Sequence, residues 1–354
     1  MTKDVFFHAG LAKTGTTYIQ KFCKWNQKNL AEQGVLYPEN GRGHPNHILH
    51  NSLAAAYRHT PPNWLERLFG IANIPDVLKE IENFSGDTVF FSSEFLQGAT
   101  KIRQLSEDFN EYNINFLLYM RNQADYVNSN YAQSVKMGLF TGTPEEFFEK
   151  TKNGLIYTHL IKKFVEKSRD QGVILFSYDD LIDQGGILPP LLDLLGAKWN
   201  DKMRDIPRQN ESIDRYSLAW LRGLAILTSR ELTGPAWTQV RDRLPDSVRN
   251  AGYPIERFEI GGNFRAHIMN ETVRGNLEVA ERFGRGPMEK LIRGRDCNAP
   301  TFNRADAFIS HAQFLEISRA LLEFDDAFYD NSIRELVQWA IQRGPSEWPL
   351  EASI

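Results

Sequence analysis

The chain has 354 residues, of which 42% are hydrophobic, 12% aromatic and 24% charged, and its formal net charge is −4. This composition supplies a sizeable core and excludes the basic footprint of a nucleic-acid binder, so any anion site is a local positive pocket. Two cysteines, Cys23 and Cys297, are too few for a disulfide framework, and no run approaches the roughly 18 apolar residues of a membrane span. The first strand is expected by residue 4 or 5, which leaves no room for a signal peptide. The expectation is a soluble, cytoplasmic protein without integral membrane association.

Val5, Phe6 and Phe7 form that first apolar, strand-favouring run. Behind it, Gly10, Ala12 and Gly15 let the backbone bend and approach a ligand closely. Thr14, Thr16 and Thr17 place hydroxyls and amides where the next helix begins. A helix N-terminus carries unpaired N–H groups and a partial positive charge, and Lys13 adds a full one. The segment reads as a phosphate-binding loop. Gly10 and Gly15 have the Walker separation, yet Thr16 occupies the Walker lysine position and Lys13 precedes Gly15 by two residues. On these residues alone, a strand–helix turn holding a lysine accounts for the same pattern.

Residues 16–33 are expected to be one helix, with Ile19, Phe22, Leu30 and Trp25 as apolar positions and Gly34 as its stop. Val35 to Tyr37 is a short strand closed by Pro38. Glu39 to His50 begins as a loop and is expected to enter a helix near Pro45, which would place His47 and His50 on one face. Residues 61–85 read as further helix, broken before Pro75. Thr88 to Ser92 and Asn113 to Met120 are apolar runs of the kind found in parallel strands covered on both faces. A crossover helix is expected over 101–109 between them.

Arg121 follows the last of these strands, and Ser129 stands eight residues later in the next helix. Gly172 to Leu181 is a strand followed by Tyr-Asp-Asp-Leu, and Ile187 to Gly196 a helix ending in Leu-Leu-Gly. Taken alone, Arg121 and Ser129 fit a sheet-edge arginine and a solvated helix face. Beyond residue 212 the pattern is mainly helical: Ile213 to Leu232, Ala236 to Arg249, Arg265 to Phe283, Ala305 to Phe324 and Phe328 to Arg343.

The order Lys-Thr-Gly-Thr-Thr-Tyr, Lys13 to Tyr18, resembles the phosphosulfate loop of sulfotransferases that use 3′-phosphoadenosine 5′-phosphosulfate (PAPS). The Arg121…Ser129 spacing is similar to that family's 3′-phosphate site. Tyr178-Asp179-Asp180-Leu181 with the Leu-Gly helix is similar to a third family segment, and Arg208 to Ser212 resembles the stretch that follows it. The resemblance implies an open, mostly parallel α/β sheet flanked by helices, in one domain spanning 1–354 with a helical C-terminal elaboration. It implies PAPS as sulfuryl donor, held by Lys13, Thr14, Gly15, Thr16, Thr17, Arg121 and Ser129, with Tyr18 and Tyr178 against the adenine. The family's late Arg-Lys-Gly loop is absent, and its nearest counterpart, Arg282 to Arg295, offers Arg285.

Transfer to a hydroxyl or amine also needs a general base. Glu94, at the C-terminal end of the 88–92 strand, and His47 are the two candidates, with Lys13 beside the leaving oxygen. Glu94 also fits a helix-capping carboxylate. No metal is required by this scheme, and His44, His47 and His50 lack neighbouring carboxylates or cysteines. The acceptor class stays open among small molecules, saccharides, lipids and peptide tyrosine, and residues 213–354 are candidates for an acceptor cover or a homo-oligomer surface. A P-loop kinase with a displaced lysine and a non-catalytic nucleotide-binding protein are the alternative functions.

Overall fold

The computed structural model describes residues 2–44, 46–166, 172–207, 213–228, 234–295, 309–324 and 331–343. In chain order the first elements are β1 (Asp4–His8), α1 (Thr16–Trp25), α2 (Gln27–Glu32), β2 (Val35–Leu36), α3 (Asn51–Ala56), α4 (Asn63–Phe69), α5 (Ile74–Asn83), β3 (Thr88–Ser92), α6 (Ile102–Asp108) and β4 (Asn113–Met120). Next come α7 (Gln123–Lys136), α8 (Pro144–Thr151), α9 (Tyr157–Val165), β5 (Val173–Ser177), α10 (Tyr178–Asp183) and α11 (Leu188–Leu194). The remainder is helical: α12 (Arg215–Thr228), α13 (Pro235–Asn250), α14 (Gly262–Phe283), α15 (Glu289–Arg293), α16 (His311–Leu322) and α17 (Asn331–Ile341). A tight helical turn covers Glu94–Gly98.

The chain divides into two compact units. The first comprises Met1–Asn122, Gly154–Gln209 and Glu271–Arg295; the second comprises Gln123–Asn153, Asn210–Asn270 and Asp296–Ile354. The helical elaboration therefore draws in α7 and α8 as well as the C-terminal part of the chain.

The first unit is α/β. Its five strands are all parallel, in the order β2-β3-β1-β4-β5, and helices flank the sheet. Phe7 in the central strand pairs in register with Phe91 of β3 and Phe116 of β4. On one face its ring lies 5.3 Å from Phe91 and 5.1 Å from Phe109, and Phe116 meets Phe164 of α9 at 4.9 Å. On the other face Phe6, Phe90, Leu117 and Phe176 pack with Ile19 and Phe22 of α1 and with Leu188 and Leu191 of α11. Both faces are covered, which is why these strands are apolar at successive positions. The chain passes from β3 over β1 to β4, so strand order reverses at β1. Open α/β sheets bind ligands at the C-terminal ends of the strands where this happens.

The second unit is helical in its described core. Trp220 and Leu224 of α12, Val240 and Leu244 of α13, Phe314 and Ile317 of α16 and Val337 of α17 form one apolar cluster. The buried Trp220 indole donates to Ser318 Oγ at 2.9 Å, which satisfies its one polar atom. Among the described residues, no helix is long and apolar enough to cross a membrane.

Strands β3 and β4 fall on the expected residues, and α6 fills the expected crossover. Two expectations are corrected. The 16–33 helix is broken at Asn26, whose φ of −106° and ψ of 14° leave the helical region. Its buried amide donates to Phe22 O and Arg204 O, each at 3.0 Å, and accepts from Arg204 N at 2.7 Å. A distant backbone segment thus competes for the residue that the helix would use. The helix expected from Pro45 does not form over the described residues around it; α3 begins only at Asn51. Gly41 and Gly43 adopt φ of 89° and 91°, and the Glu80 carboxylate accepts from the amides of Glu39 and Asn40, so local bonds hold an irregular loop. His47 and His50 consequently share no helix face. Pro45 itself, Arg208 to Ser212 and the expected helix starts at Ala305 and Phe328 lie outside the described residues.

Asn26→Ala removes the three side-chain bonds and strands two backbone groups of Arg204. Loss of about 1–3 kcal/mol of stability is expected in urea denaturation, and a wild-type midpoint would contradict this explanation of the break.

Candidate functional site

The loop after β1 is built on left-handed backbone. Lys13 has φ of 67°, the one non-glycine residue with positive φ among the described residues, and Gly15 follows at 77°. A lysine there is strained by roughly 1–3 kcal/mol unless its surroundings hold it. They do: buried Thr14 donates to Leu11 O at 2.6 Å, and Thr16 Oγ1 lies 3.3 Å from the same carbonyl. Gly15 caps α1 without a side chain, so the helix presents its first-turn amides and the positive end of its dipole to the loop. Alternating backbone hand of this kind turns successive N–H groups toward one point and makes an anion-binding concavity.

Two glycines are required by close approach. A Cβ on Gly10 would stand 2.5 Å from His8 Nε2 and 2.8 Å from Thr16 Oγ1. A Cβ on Gly15 would stand 2.5 Å from Ile187 Cδ1 and 3.2 Å from Tyr178 Cε2. The loop is therefore seated on His8 at one side and against Tyr178 at the other. His8 is fully buried, hydrogen-bonded through Nδ1 to Ser92 Oγ at 2.8 Å, and burial holds its pKa down to about 3. It is a neutral support under the loop.

Glu94 opens the turn that follows β3. Ser93, not Glu94, is the cap: its hydroxyl accepts from Phe95 N at 3.1 Å. The Glu94 carboxyl instead takes a hydrogen bond from the Thr16 side chain and feels the Lys13 charge. Burial raises its pKa, and those two contacts pull in the opposite direction without cancelling the rise. Lys13, Thr16 and Glu94 are thus brought together where β1 and β3 end. A carboxylate of raised pKa beside a lysine is the arrangement expected of an acid–base group.

His47 and His50 have other employment. His50 donates through Nε2 to Pro38 O at 2.9 Å and accepts at Nδ1 from Ser92 N at 3.1 Å, so both ring nitrogens are used. Its pKa, lowered to about 3 mainly by burial, keeps it neutral. His47 is half-buried, with its ring 5.0 Å from Phe69 and Nδ1 3.3 Å from Arg42 O. Among the described residues, no group of three His, Cys, Asp or Glu side chains is placed to hold a metal ion.

The ends of β4 and β5 carry the second cluster. Arg121 Nε donates to Asp179 Oδ2 at 3.0 Å, and Arg295 Nε donates to Asp179 Oδ1 at 2.9 Å. The side chains of Arg121 and Asp179 are 6% and 2% exposed, so their ion pair is buried, and Arg295 joins it from a partly exposed position. Tyr157 OH donates to Arg121 O, and the guanidinium carbon of Arg121 lies 5.5 Å from the centre of the Tyr178 ring. Tyr178 therefore lies next to both the loop glycine and Arg121. Tyr18 and Tyr178 pack on the same apolar cluster, and Tyr18 OH reaches Asp205 Oδ1 at 3.5 Å.

The remaining expected residues lie elsewhere or stand apart. Thr17 is exposed at the start of α1. Arg285 is half-exposed beside the middle of β5, where its amide donates to Leu175 O at 2.8 Å and its side chain pairs with Asp193 at 3.8 Å. The Asp179 partner is Arg295 from the same basic run. Asp180 explains its arrival: the carboxylate accepts from Lys290 N at 2.9 and 3.1 Å, and Lys290 also pairs with Asp183. Ser129 is half-buried on α7 in the second unit, and its spacing from Arg121 remains a property of the sequence. Asp179 lies within the Tyr-Asp-Asp-Leu motif and Arg295 ends the Arg282 run; no local pattern pairs residues 116 apart.

Neither protein-family models nor curated proteins show a match to this chain.

Folding favours the protonated form of Glu94, because its pKa is raised in the folded state. At neutral pH the wild type therefore bears an ionisation cost that Glu94→Gln lacks, and the variant is expected to be the more stable. That advantage shrinks as pH falls into the ordinary carboxylate range, where Glu94 is protonated in both folded and unfolded chains. Urea denaturation at neutral and acid pH checks this, and a Gln variant destabilised equally at both would contradict the environment described.

Proposed function

We propose that this protein is a sulfotransferase that moves a sulfuryl group from PAPS to a hydroxyl or amine acceptor. What supports the reading most is one joined arrangement. The Lys13 loop with Glu94 lies at one end, the Arg121–Asp179–Arg295 triad at the other, and Tyr178 between them. A donor set of that kind fits a ligand with two anionic groups and a flat ring. Adenosine 3′,5′-bisphosphate and its sulfated form carry phosphates on both sides of the ribose and an adenine branching from it. A mononucleotide with a single phosphate site leaves one of the two cation clusters without a role.

In this reading the 5′ group rests on the amides that begin α1, with the Thr16 and Thr17 hydroxyls near it. The 3′-phosphate faces the guanidinium groups of Arg121 and Arg295. PAPS supplies the activated sulfuryl group. Glu94 accepts the proton of the acceptor oxygen as that oxygen bonds to sulfur. Lys13 stabilises the negative charge that collects on the bridging oxygen as its bond to sulfur breaks. The products are the sulfated acceptor and adenosine 3′,5′-bisphosphate. Burial of Glu94 raises its basicity, and the Thr16 bond orients it. The reading places the reaction in the cytoplasm.

One observation favours a second reading. Glu94 bonded to Thr16 also resembles the acidic group and hydroxyl that hold Mg²⁺ in P-loop kinases. That reading leaves the Arg121–Asp179–Arg295 triad unexplained. A non-catalytic nucleotide binder differs from both in binding without transfer.

Thermal stabilisation by adenosine 3′,5′-bisphosphate, AMP and ATP, each with and without Mg²⁺, separates the readings. The bisphosphate is expected to stabilise most, without Mg²⁺, by about 2.7 kcal/mol at a hundred times its Kd. Preference for Mg²⁺-ATP would overturn the proposal in favour of a kinase. In the enzyme assay Lys13→Ala is expected to lower turnover about 100- to 1000-fold while bisphosphate affinity changes far less. Wild-type turnover, or equal loss of both, would contradict the role of Lys13.

A further inference from the structure

A second positive cluster lies beside Glu94, outside the machinery above. Arg58 Nη2 donates to the carbonyl of Phe95, the residue after Glu94, at 3.2 Å. A Cβ on Gly98 would stand 1.8 Å from that nitrogen, so the bare glycine leaves room for the guanidinium. Arg58 Nε is buried without a hydrogen-bond partner. Lys163 of α9 lies close enough for the Arg58 charge to act on it, and no acidic side chain among the described residues acts on either. Burial first, and the Arg58 charge second, push the Lys163 ammonium down to about 8. Two half-buried like charges without a counter-ion cost free energy that an incoming anion relieves.

Apolar surface adjoins the same turn. The Trp64 ring meets Phe95 edge-on at 5.2 Å while remaining 49% exposed. Leu68, one helical turn further along α4, is 64% exposed. Phe95 is therefore touched by a guanidinium through its carbonyl and by an exposed indole through its ring, immediately after the candidate base.

We propose that Arg58, Lys163, Trp64 and Phe95 form the acceptor subsite, and that the acceptor is an anionic amphiphile. Its carboxylate, phosphate or sulfate pairs with Arg58 and Lys163, its apolar part covers Trp64 and Leu68, and its hydroxyl or amine reaches Glu94. This rests on the sulfotransferase reading, because Glu94 is taken as the base. A saccharide without an apolar part leaves Trp64 and Leu68 uncovered, and a neutral lipid leaves the cation pair unanswered.

Calorimetry on the full chain saturated with adenosine 3′,5′-bisphosphate tests it, with inorganic sulfate and decyl sulfate below its micelle concentration as probes. Decyl sulfate is expected to bind wild type about tenfold or more tighter than sulfate, since partial burial of a few methylenes suffices. Arg58→Gln/Lys163→Gln is expected to weaken both probes about tenfold or more through loss of charge-assisted bonds. Trp64→Ala is expected to weaken decyl sulfate alone. Bisphosphate affinity within about twofold of wild type in each variant shows that the fold and donor site are intact. If the double variant fails that control, Lys163→Gln alone is read against the same expectation. Unchanged sulfate affinity in the charge variant, or equal affinity of wild type for the two probes, would overturn the proposal. If decyl sulfate binds as expected to a wild type that ignores the bisphosphate, the donor reading fails and the anionic amphiphile subsite stands. If the bisphosphate binds and decyl sulfate does not, the subsite fails and the donor reading stands.

Discussion

A buried carboxylate organises the far end of the sheet. Asp179 is 2% exposed in its side chain, and a lone buried charge of that kind costs several kcal/mol. It is met by Arg121 from the end of β4 and by Arg295 from beyond α15, one on each oxygen. Asp180 and Asp183, its neighbours on α10, fasten the segment that delivers Arg295. Two carboxylates on one short helix, Asp179 and Asp183, therefore gather cations from other parts of the chain, and Asp180 between them takes backbone amides of α15. Asp179 thus holds two guanidinium groups beside the C-terminal ends of β4 and β5.

The near end works by backbone geometry. Left-handed residues at Lys13 and Gly15 turn the chain sharply between β1 and α1, and buried Thr14 holds it there through Leu11. The turn sets the lysine close to Glu94 and the helix start close to Tyr178. Strain in the loop and burial of Glu94 both oppose stability, and both are concentrated where chemistry is proposed. Such a concentration of unfavourable terms is characteristic of functional sites. The structural terms that offset them lie in the phenylalanine layer on Phe7 and in the α1–α11 cluster on the opposite face.

Local patterns carried much of this in the sequence. Apolar runs of strand length located β3 and β4, because a parallel strand covered on both faces has no polar positions to obscure it. The loop glycines, Lys13 and the position of Glu94 at a strand end were also legible. What escaped depends on partners far away in the chain. Asn26 sits in a helical pattern and leaves it for the backbone of Arg204. His47 and His50 have helical spacing, yet glycines at positive φ and the Glu80 carboxylate hold their segment irregular. Arg295 belongs to the basic run that suggested Arg285, and only the capping of α15 by Asp180 selects between them. The participation of α7 and α8 in the second unit likewise follows from packing that no local period records.

At the centre of the proposed function, the loop and Arg121 grip opposite ends of one doubly phosphorylated nucleotide. Calorimetric titration of Arg121→Gln with adenosine 3′,5′-bisphosphate and with AMP tests it directly. The bisphosphate is expected to lose about 10- to 100-fold in affinity, the equivalent of one charge-assisted pair, while AMP binding is little altered. If both nucleotides weaken by the same factor, or neither does, Arg121 does not hold the second phosphate and the proposed grip is wrong.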